Sequence, residues 1–235
     1  MRAEGSGWKE EAKKRAALEA AEHVKDGYVI GLGSGSTAAY AIEQIGKMAH
    51  EKDWRILGVP TSYQAMQSAL KYGVGVTSLQ EHPQLDLTID GADQIDHELN
   101  LIKGVGGALA REKIVASASK RVIIVADETK LVNKLGKNHP VPVEVLPFAT
   151  SPVMLKIRKM HGKPRLRETS GKVGPLVTDN RNFILDVDFG EMDSPSRLDS
   201  QLRAIPGVIE TGIFAGMTHI VYVGTKSTVR RLKKE

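Results

Sequence analysis

Two patterns in the chain predict an α/β protein built from a Rossmann-like parallel sheet domain with an inserted ferredoxin-like α+β small domain. Over the first 135 residues, short apolar runs alternate with helical stretches. After them the order becomes strand, helix, strand, strand, helix, strand. A last apolar run, HIVYVGT at 219–225, again reads as a parallel-sheet strand and returns the chain to the first domain. The expected limits are 1–136 with 208–235 for the Rossmann-like domain and 137–207 for the ferredoxin-like one.

Each element has its own signal. Residues 8–25, WKEEAKKRAALEAAEHVK, place Ala17, Ala20, Ala21 and Val24 at helical spacing and stop at Asp26-Gly27. Strand 28–32 (YVIGL), helix 36–48 and strand 55–59 (RILGV) follow. Next come helix 62–72 with Ser62 as its cap, a short strand near 74–77 and strand 85–90 (LDLTID). Helix 107–118 and strand 121–126 (RVIIVA) complete the alternation. In the second domain, strands are expected at 142–148, 164–168, 182–189 and 207–214, and helices at 151–160 and 194–205.

Composition narrows the function. With 235 residues, 41% hydrophobic and 26% charged, the chain is long enough to bury a core. Its apolar runs, such as Val122–Ala126, are far too short for a bilayer, and MRAEGSGWKEEAKK has no apolar leader segment. Neither membrane insertion nor secretion is expected. Cysteine is absent, which removes disulfide and thiolate chemistry and leans towards a cytoplasmic location. The seven histidines form no i, i+4 pair, which argues against zinc. The net charge of +5 and the basic terminus RRLKKE raise nucleic acid as a partner. Basic and acidic residues are interleaved, however, and aromatics are only 5%, so stacking platforms are scarce. An anionic small molecule suits this charge better than nucleic acid.

In an open parallel sheet, ligands bind beyond the carboxyl ends of the strands. The first strand runs into Gly33-Ser34-Gly35-Ser36-Thr37, a setting in which backbone N–H groups at a helix start collect a phosphate. A dinucleotide fingerprint would need Gly at position 36 and an acidic end to the second strand. Ser36 and Val-Pro-Thr-Ser stand there instead. A Walker loop would need Lys after the glycines, and there is none. The loop therefore prefers a phosphate monoester, held by N–H groups and the hydroxyls of Ser34, Ser36 and Thr37.

Other strand ends carry ionisable groups: Asp90-Gly91-Ala92-Asp93, then Lys103 before a glycine loop with Glu112 on the next helix, then Asp127-Glu128-Thr129-Lys130. Each alone reads equally as a turn cap or a solvated charge. Their common rim argues for a site. Asp86, Asp90, Asp93 and Asp96 lack the two-residue steps of an EF-hand, which leaves Mg²⁺ as the weaker alternative to proton chemistry. Glu112 as a base, with Lys103 and the amides of Gly104, Gly106 and Gly107 facing a developing oxyanion, suits removal of a proton beside a carbonyl. No cofactor is required for that.

GLGSGSTA (31–38), DGADQID (90–96), KGVGGALAREK (103–113), VADETK (125–130) and VTDNRNFILDV (177–187) together resemble, in order, the motifs of the ribose-5-phosphate isomerase A family. The resemblance runs from about residue 12 to the end of the chain. It implies interconversion of ribose 5-phosphate and ribulose 5-phosphate through an enediolate in the non-oxidative pentose phosphate pathway, without metal, by a homodimer or homotetramer. It further implies that Glu112 moves the proton between C1 and C2 and that Lys103 stabilises the enediolate oxygen. Asp90 would serve ring opening or hydroxyl proton transfer, and Asp93 would hold the substrate or Lys103. Ser34, Gly35, Ser36, Thr37, Gly91, Ala92, Gly104, Val105, Gly106 and Lys130 would be substrate contacts, and Lys13 would approach the phosphate. Three departures stand out: Ser34 for Thr, KGVGGA for KGGGAA, and TDNRN for TDNGN, which puts Arg181 in a turn that favours Gly. A sugar-phosphate sensor in a transcriptional regulator would need a helix-turn-helix module, and only one helix precedes residue 28.

Overall fold

The computed structural model describes residues 7–233, which fall into two compact units. One runs to Ala92 and adds Arg111–Lys130 and the chain from Met217. The other comprises Asp93–Ala110 and Leu131–Gly216. The elements begin α1 (Gly7–Ala21), β1 (Val29–Leu32), α2 (Ser36–Lys52), β2 (Leu57–Pro60), α3 (Tyr63–Lys71), β3 (Gly75–Val76) and β4 (Leu87–Gly91). They continue with β5 (Gln94–Ile95), β6 (Leu101–Ile102), α4 (Leu109–Ser117), β7 (Val122–Asp127), β8 (Val141–Val145), α5 (Thr150–Lys159) and β9 (Lys163–Leu166). Last come β10 (Glu168–Thr169), β11 (Lys172–Pro175), β12 (Phe183–Asp188), α6 (Pro195–Arg203), β13 (Val208–Thr211), β14 (Ile213–Phe214), β15 (Ile220–Gly224) and β16 (Val229–Lys233).

The first unit is a seven-stranded sheet in the order β3-β2-β1-β4-β7-β15-β16, parallel except for β16. The order reverses between β1 and β4, which is where the Rossmann arrangement opens a crevice at the carboxyl edge. Alternate residues of the strands point to opposite faces. Ile30, Leu32, Leu87, Ile89, Ile123 and Val125 pack under α1, α2 and α3, while Val115 of α4 packs with Val59 and Leu85 in a separate cluster. Each fully buried Ile or Leu contributes roughly 1.5–3 kcal/mol.

Helix α1 is rich in alanine because it lies hard against the sheet. A Cβ on Gly224 of β15 would fall 2.0 Å from the Ala12 carbonyl oxygen. The helix ends at Ala21, short of the expected residue 25, as His23 and Val24 donate back to Ala20 and Ala21 in a tightening turn.

In the second unit, β8, β9, β12 and β13 form a four-stranded antiparallel sheet of order β13-β8-β12-β9, with α5 following β8 and α6 following β12, the ferredoxin-like arrangement. Val143, Val145, Leu185 and Val187 of this sheet meet Val153 and Ile157 of α5 and Leu202 of α6.

The division lies elsewhere than at 136/137 and 207/208. The segment 93–110 carries β5 and β6, which pair with β14 in a small three-stranded sheet of the second unit. The expected strand 207–214 is two strands, because Gly212 lets the chain pass from one sheet to the other. Its N–H donates to Pro142 O (2.7 Å) and its carbonyl accepts from Lys103 N (2.8 Å). The hairpin β10–β11 and the edge strand β16 were not expected. Most of the basic C-terminal run is β16, whose charged residues guard an open sheet edge. Lys234 and Glu235, like the first six residues of the N-terminal segment, lie outside the described residues. Among the described residues no helix is long and apolar enough to cross a membrane.

Candidate active site

The residues singled out above fall in both units. In the first, the chain leaves β1 and starts α2 at Ser36, with Gly35 at the N-cap in a positive-φ conformation (φ 92°) and no side chain capping the helix. The leading N–H groups of this 17-residue helix therefore receive no side-chain hydrogen bond from the N-cap, an arrangement that suits an anion. Gly35 N itself donates to Gln64 Oε1 at 3.0 Å. The Ser34 hydroxyl is spent within the protein, 2.8 Å from Thr61 Oγ1 and donating to Ser62 Oγ at 2.6 Å, which ties the loops after β1 and β2. Ser62 also accepts from Ala65 N, as its N-cap position requires. Lys13 Nζ lies 2.6 Å from Glu10 Oε1 and 3.4 Å from Ser36 Oγ, and this lysine holds the Glu10 carboxyl below its usual range.

Asp90, at the end of β4, is 2% exposed. Its Oδ1 accepts from Ser34 N (3.2 Å) and Gly91 N (2.7 Å). Gly33 makes this approach feasible, since a Cβ there would sit 2.2 Å from that same oxygen. The structure therefore brings Ser34, Gly91 and Asp90 together at the sheet's switch point. Glu112 is 5% exposed on α4, one turn before Val115. Val115 packs so closely over β1 that a Cβ on Gly31 would lie 2.4 Å from its Cγ1. That contact fixes α4 on the sheet and with it the backbone position of Glu112. Asp127 closes β7 and accepts from the backbone N–H and hydroxyl of Thr129, shaping the turn that ends in half-buried Lys130.

In the second unit, Lys103 follows β6 and is 3% exposed, its ammonium 5.5 Å from the Phe214 ring centroid. Gly104 and Gly107 take positive φ and close a turn through Gly107 N to Gly104 O at 3.0 Å. Val105 is a central residue of that turn without positive φ, so the glycine it replaces is not demanded there, and its side chain is 56% exposed. Asp93 Oδ2 accepts from Val105 N at 3.0 Å, which brings Asp93 to the Lys103 loop.

The remaining aspartates have local duties. Asp86 accepts from Val29 N and Lys120 Nζ, both at 3.0 Å, and Asp96 accepts from Glu98 N, Asn100 N and Asn100 Nδ2. Among the described residues, no three His, Cys, Asp or Glu side chains are grouped to hold a metal ion. Sequence reasoning passed over Gln64 and Arg167. The first is one helical turn past a recognised strand end, a usable signal. The second contacts Gly104 and Val105 across more than 60 residues of chain, which no local pattern reveals.

These features define a class: α/β proteins of Rossmann order that carry carboxylates and an uncapped helix N-terminus at the carboxyl edge of the sheet. Comparison with known proteins gives the particular family. The model of ribose 5-phosphate isomerase A (phosphoriboisomerase A) matches residues 57–228. A ribose-5-phosphate isomerase A of Methanothermobacter thermautotrophicus is 49% identical over 221 residues, 94% of this chain and 97% of its own. The solved ribose 5-phosphate isomerase A of Methanocaldococcus jannaschii superposes with a TM-score of 0.93 at 42% identity, covering 96% of this chain and 99% of that one. A D-ribose-5-phosphate isomerase in complex with phospho-erythronic acid does so with the same TM-score at 44% identity, with the same coverage. The chain belongs to the ribose 5-phosphate isomerase A family.

Proposed function

We propose that this chain interconverts D-ribose 5-phosphate and D-ribulose 5-phosphate by proton transfer. The observation that carries the reading is the burial, in a member of this family, of Asp90, Lys103 and Glu112 alongside an uncapped α2 N-terminus. The phosphate takes the N–H groups at the start of α2, the hydroxyls of Ser36 and Thr37, and Lys13, whose ammonium already lies beside Ser36. Lys130 is a further contact to the substrate.

Glu112 removes the proton from C2 of the open-chain aldose, and the electron pair moves to the C1 carbonyl, giving a 1,2-enediolate. The same carboxyl returns the proton to C1, while the O2 proton passes towards O1 and leaves the ketose. Buried Lys103 and the loop amides of Gly104 and Gly106 stabilise the oxyanion. Asp90, with Gly91 and Ala92, handles the hydroxyl proton or opens the furanose ring. Asp93 holds the Lys103 loop. In this reading the enzyme is a cytoplasmic homo-oligomer, dimer or tetramer, acting in the non-oxidative pentose phosphate pathway that the family implies. Purified protein given ribose 5-phosphate in EDTA, without nicotinamide, is expected to release ketose. No ketose overturns the isomerase reading, and activity lost only to EDTA overturns the metal-free mechanism.

A further inference from the structure

We propose that Arg167 is a positioning residue for the isomerisation: anchored on Asp186, its guanidinium sets the peptide planes of the loop that carries Lys103. This deepens the proposed function and rests on the role given there to Lys103 and its loop.

Arg167 is fixed from three sides. Its N–H donates to Ile184 O at 2.9 Å and its carbonyl accepts from Leu176 N at 2.8 Å, so the backbone is clamped beside β12. Its side chain, 12% exposed, forms a two-pronged pair with Asp186: Nε donates to Oδ2 at 2.8 Å and Nη2 to Oδ1. That orientation leaves Nη1 facing the loop, where it donates to Gly104 O at 2.8 Å and to Val105 O at 3.0 Å.

The consequence follows from peptide geometry. In a planar trans peptide, the carbonyl and the N–H point in opposite directions. The Gly104–Val105 peptide is gripped at both ends, its oxygen by Arg167 and its N–H by Asp93 Oδ2 at 3.0 Å. The Val105–Gly106 peptide is gripped at its oxygen, so its Gly106 N–H is turned away from Arg167. The orientation of that N–H as an oxyanion donor is therefore set by a residue that has no part in the chemistry. On the other side of Lys103, its own N–H is held by Gly212 O at 2.8 Å. Lys103 thus stands between two fixed points.

A stability role alone fits this arrangement poorly. A largely buried ion pair is weak as a source of net stability, whereas its geometry is specific. Lysine at 167 keeps the charge but lacks the planar fork needed to hold Asp186 and both carbonyls together.

The test compares wild type with Arg167→Lys, Arg167→Met, Lys103→Met and Arg165→Met, reading kcat, KM and Tm with ribose 5-phosphate. Arg165→Met removes an exposed positive charge from β9, two residues before Arg167, and is expected to behave as wild type. Arg167→Lys is expected to lower kcat by roughly 10²-fold, with KM within about threefold, while still melting cooperatively near wild type. Should Arg167→Met fail to fold, the lysine variant carries the result alone. If wild type and Arg165→Met are active and Lys103→Met is impaired, but Arg167→Lys keeps its kcat or loses activity only through KM, the positioning inference falls by itself. An inactive wild type, or full activity in Lys103→Met, removes the functional reading beneath it.

Discussion

The loop after β1 and the loop after β6 both present glycines and backbone amides, yet they are built in opposite ways. In the first, Gly35 and Ser36 are exposed, the helix behind them has no side-chain cap, and Lys13 is shared between Glu10 and Ser36. In the second, Lys103 is buried, and neighbouring peptides are held by Gly212, Asp93 and Arg167. The contrast matches the two tasks proposed for these loops. A phosphate is gripped by any set of convergent donors that can shed water or a weak internal partner, so openness does no harm. A charge that appears for the life of an enediolate needs donors already in place, because reorganising them at that moment forfeits the gain.

The largest expected effect comes from the base itself. Glu112→Gln should bind pentose phosphate with KM little changed while kcat falls on the order of 10²–10⁴-fold, which steady-state kinetics reads directly. Near-normal turnover would take Glu112 out of its role and leave the comparison without its chemical half.

A smaller effect separates the frame of the second unit from its loop. Arg181 sits at φ +65°, where a side chain is strained, in the turn between Thr178 and Asn182. Thr178, Asn180 and Asn182 of this turn all donate to the buried carboxylate of Glu144. Arg181→Gly is expected to raise stability by about 1 kcal/mol in denaturant titration with kcat unchanged. A fall in kcat would tie that turn to the chemistry.

The smallest effect belongs to the first unit's frame. Burial, with Arg121 and Arg231 nearby, holds the His23 imidazole below its usual range, and the ring is 2.7 Å from Tyr222 Oη. The folded state thus favours neutral His23, whereas the unfolded chain takes up its proton near 6.5. The stability this contributes is full above that value and declines as pH falls through it. The Tm loss between about pH 7.5 and about pH 5.5 should be smaller in His23→Gln than in wild type. Equal losses would show that His23 carries no such linkage.

Sequence reading reached both loops but not their difference. Strand and helix alternation was plain because the strands are apolar and the helices amphipathic or alanine-rich. The motifs placed Asp90 at a strand end, Lys103 before a glycine loop and Glu112 on the helix after it. What stayed hidden depends on separation along the chain. Two-residue strands such as β5, β6 and β14 are too short to show a period, and they exist because Gly212 lets a distant segment pair with them. Gly33 reads as a phosphate-loop glycine, yet its immediate reason is the carboxylate of Asp90, 57 residues on. Ser34 reads as a ligand hydroxyl, and here it binds Thr61 and Ser62. Arg167 carried no local signal at all.

The division between a gripping loop and a chemical loop is tested most directly by the kinetics of two lysine variants, Lys13→Met and Lys103→Met, assayed side by side on ribose 5-phosphate. The account predicts that Lys13→Met raises KM with kcat nearly kept, and that Lys103→Met lowers kcat by roughly 10²–10³-fold with KM nearly kept. The reverse pattern, or the same loss in both parameters for both variants, would contradict it.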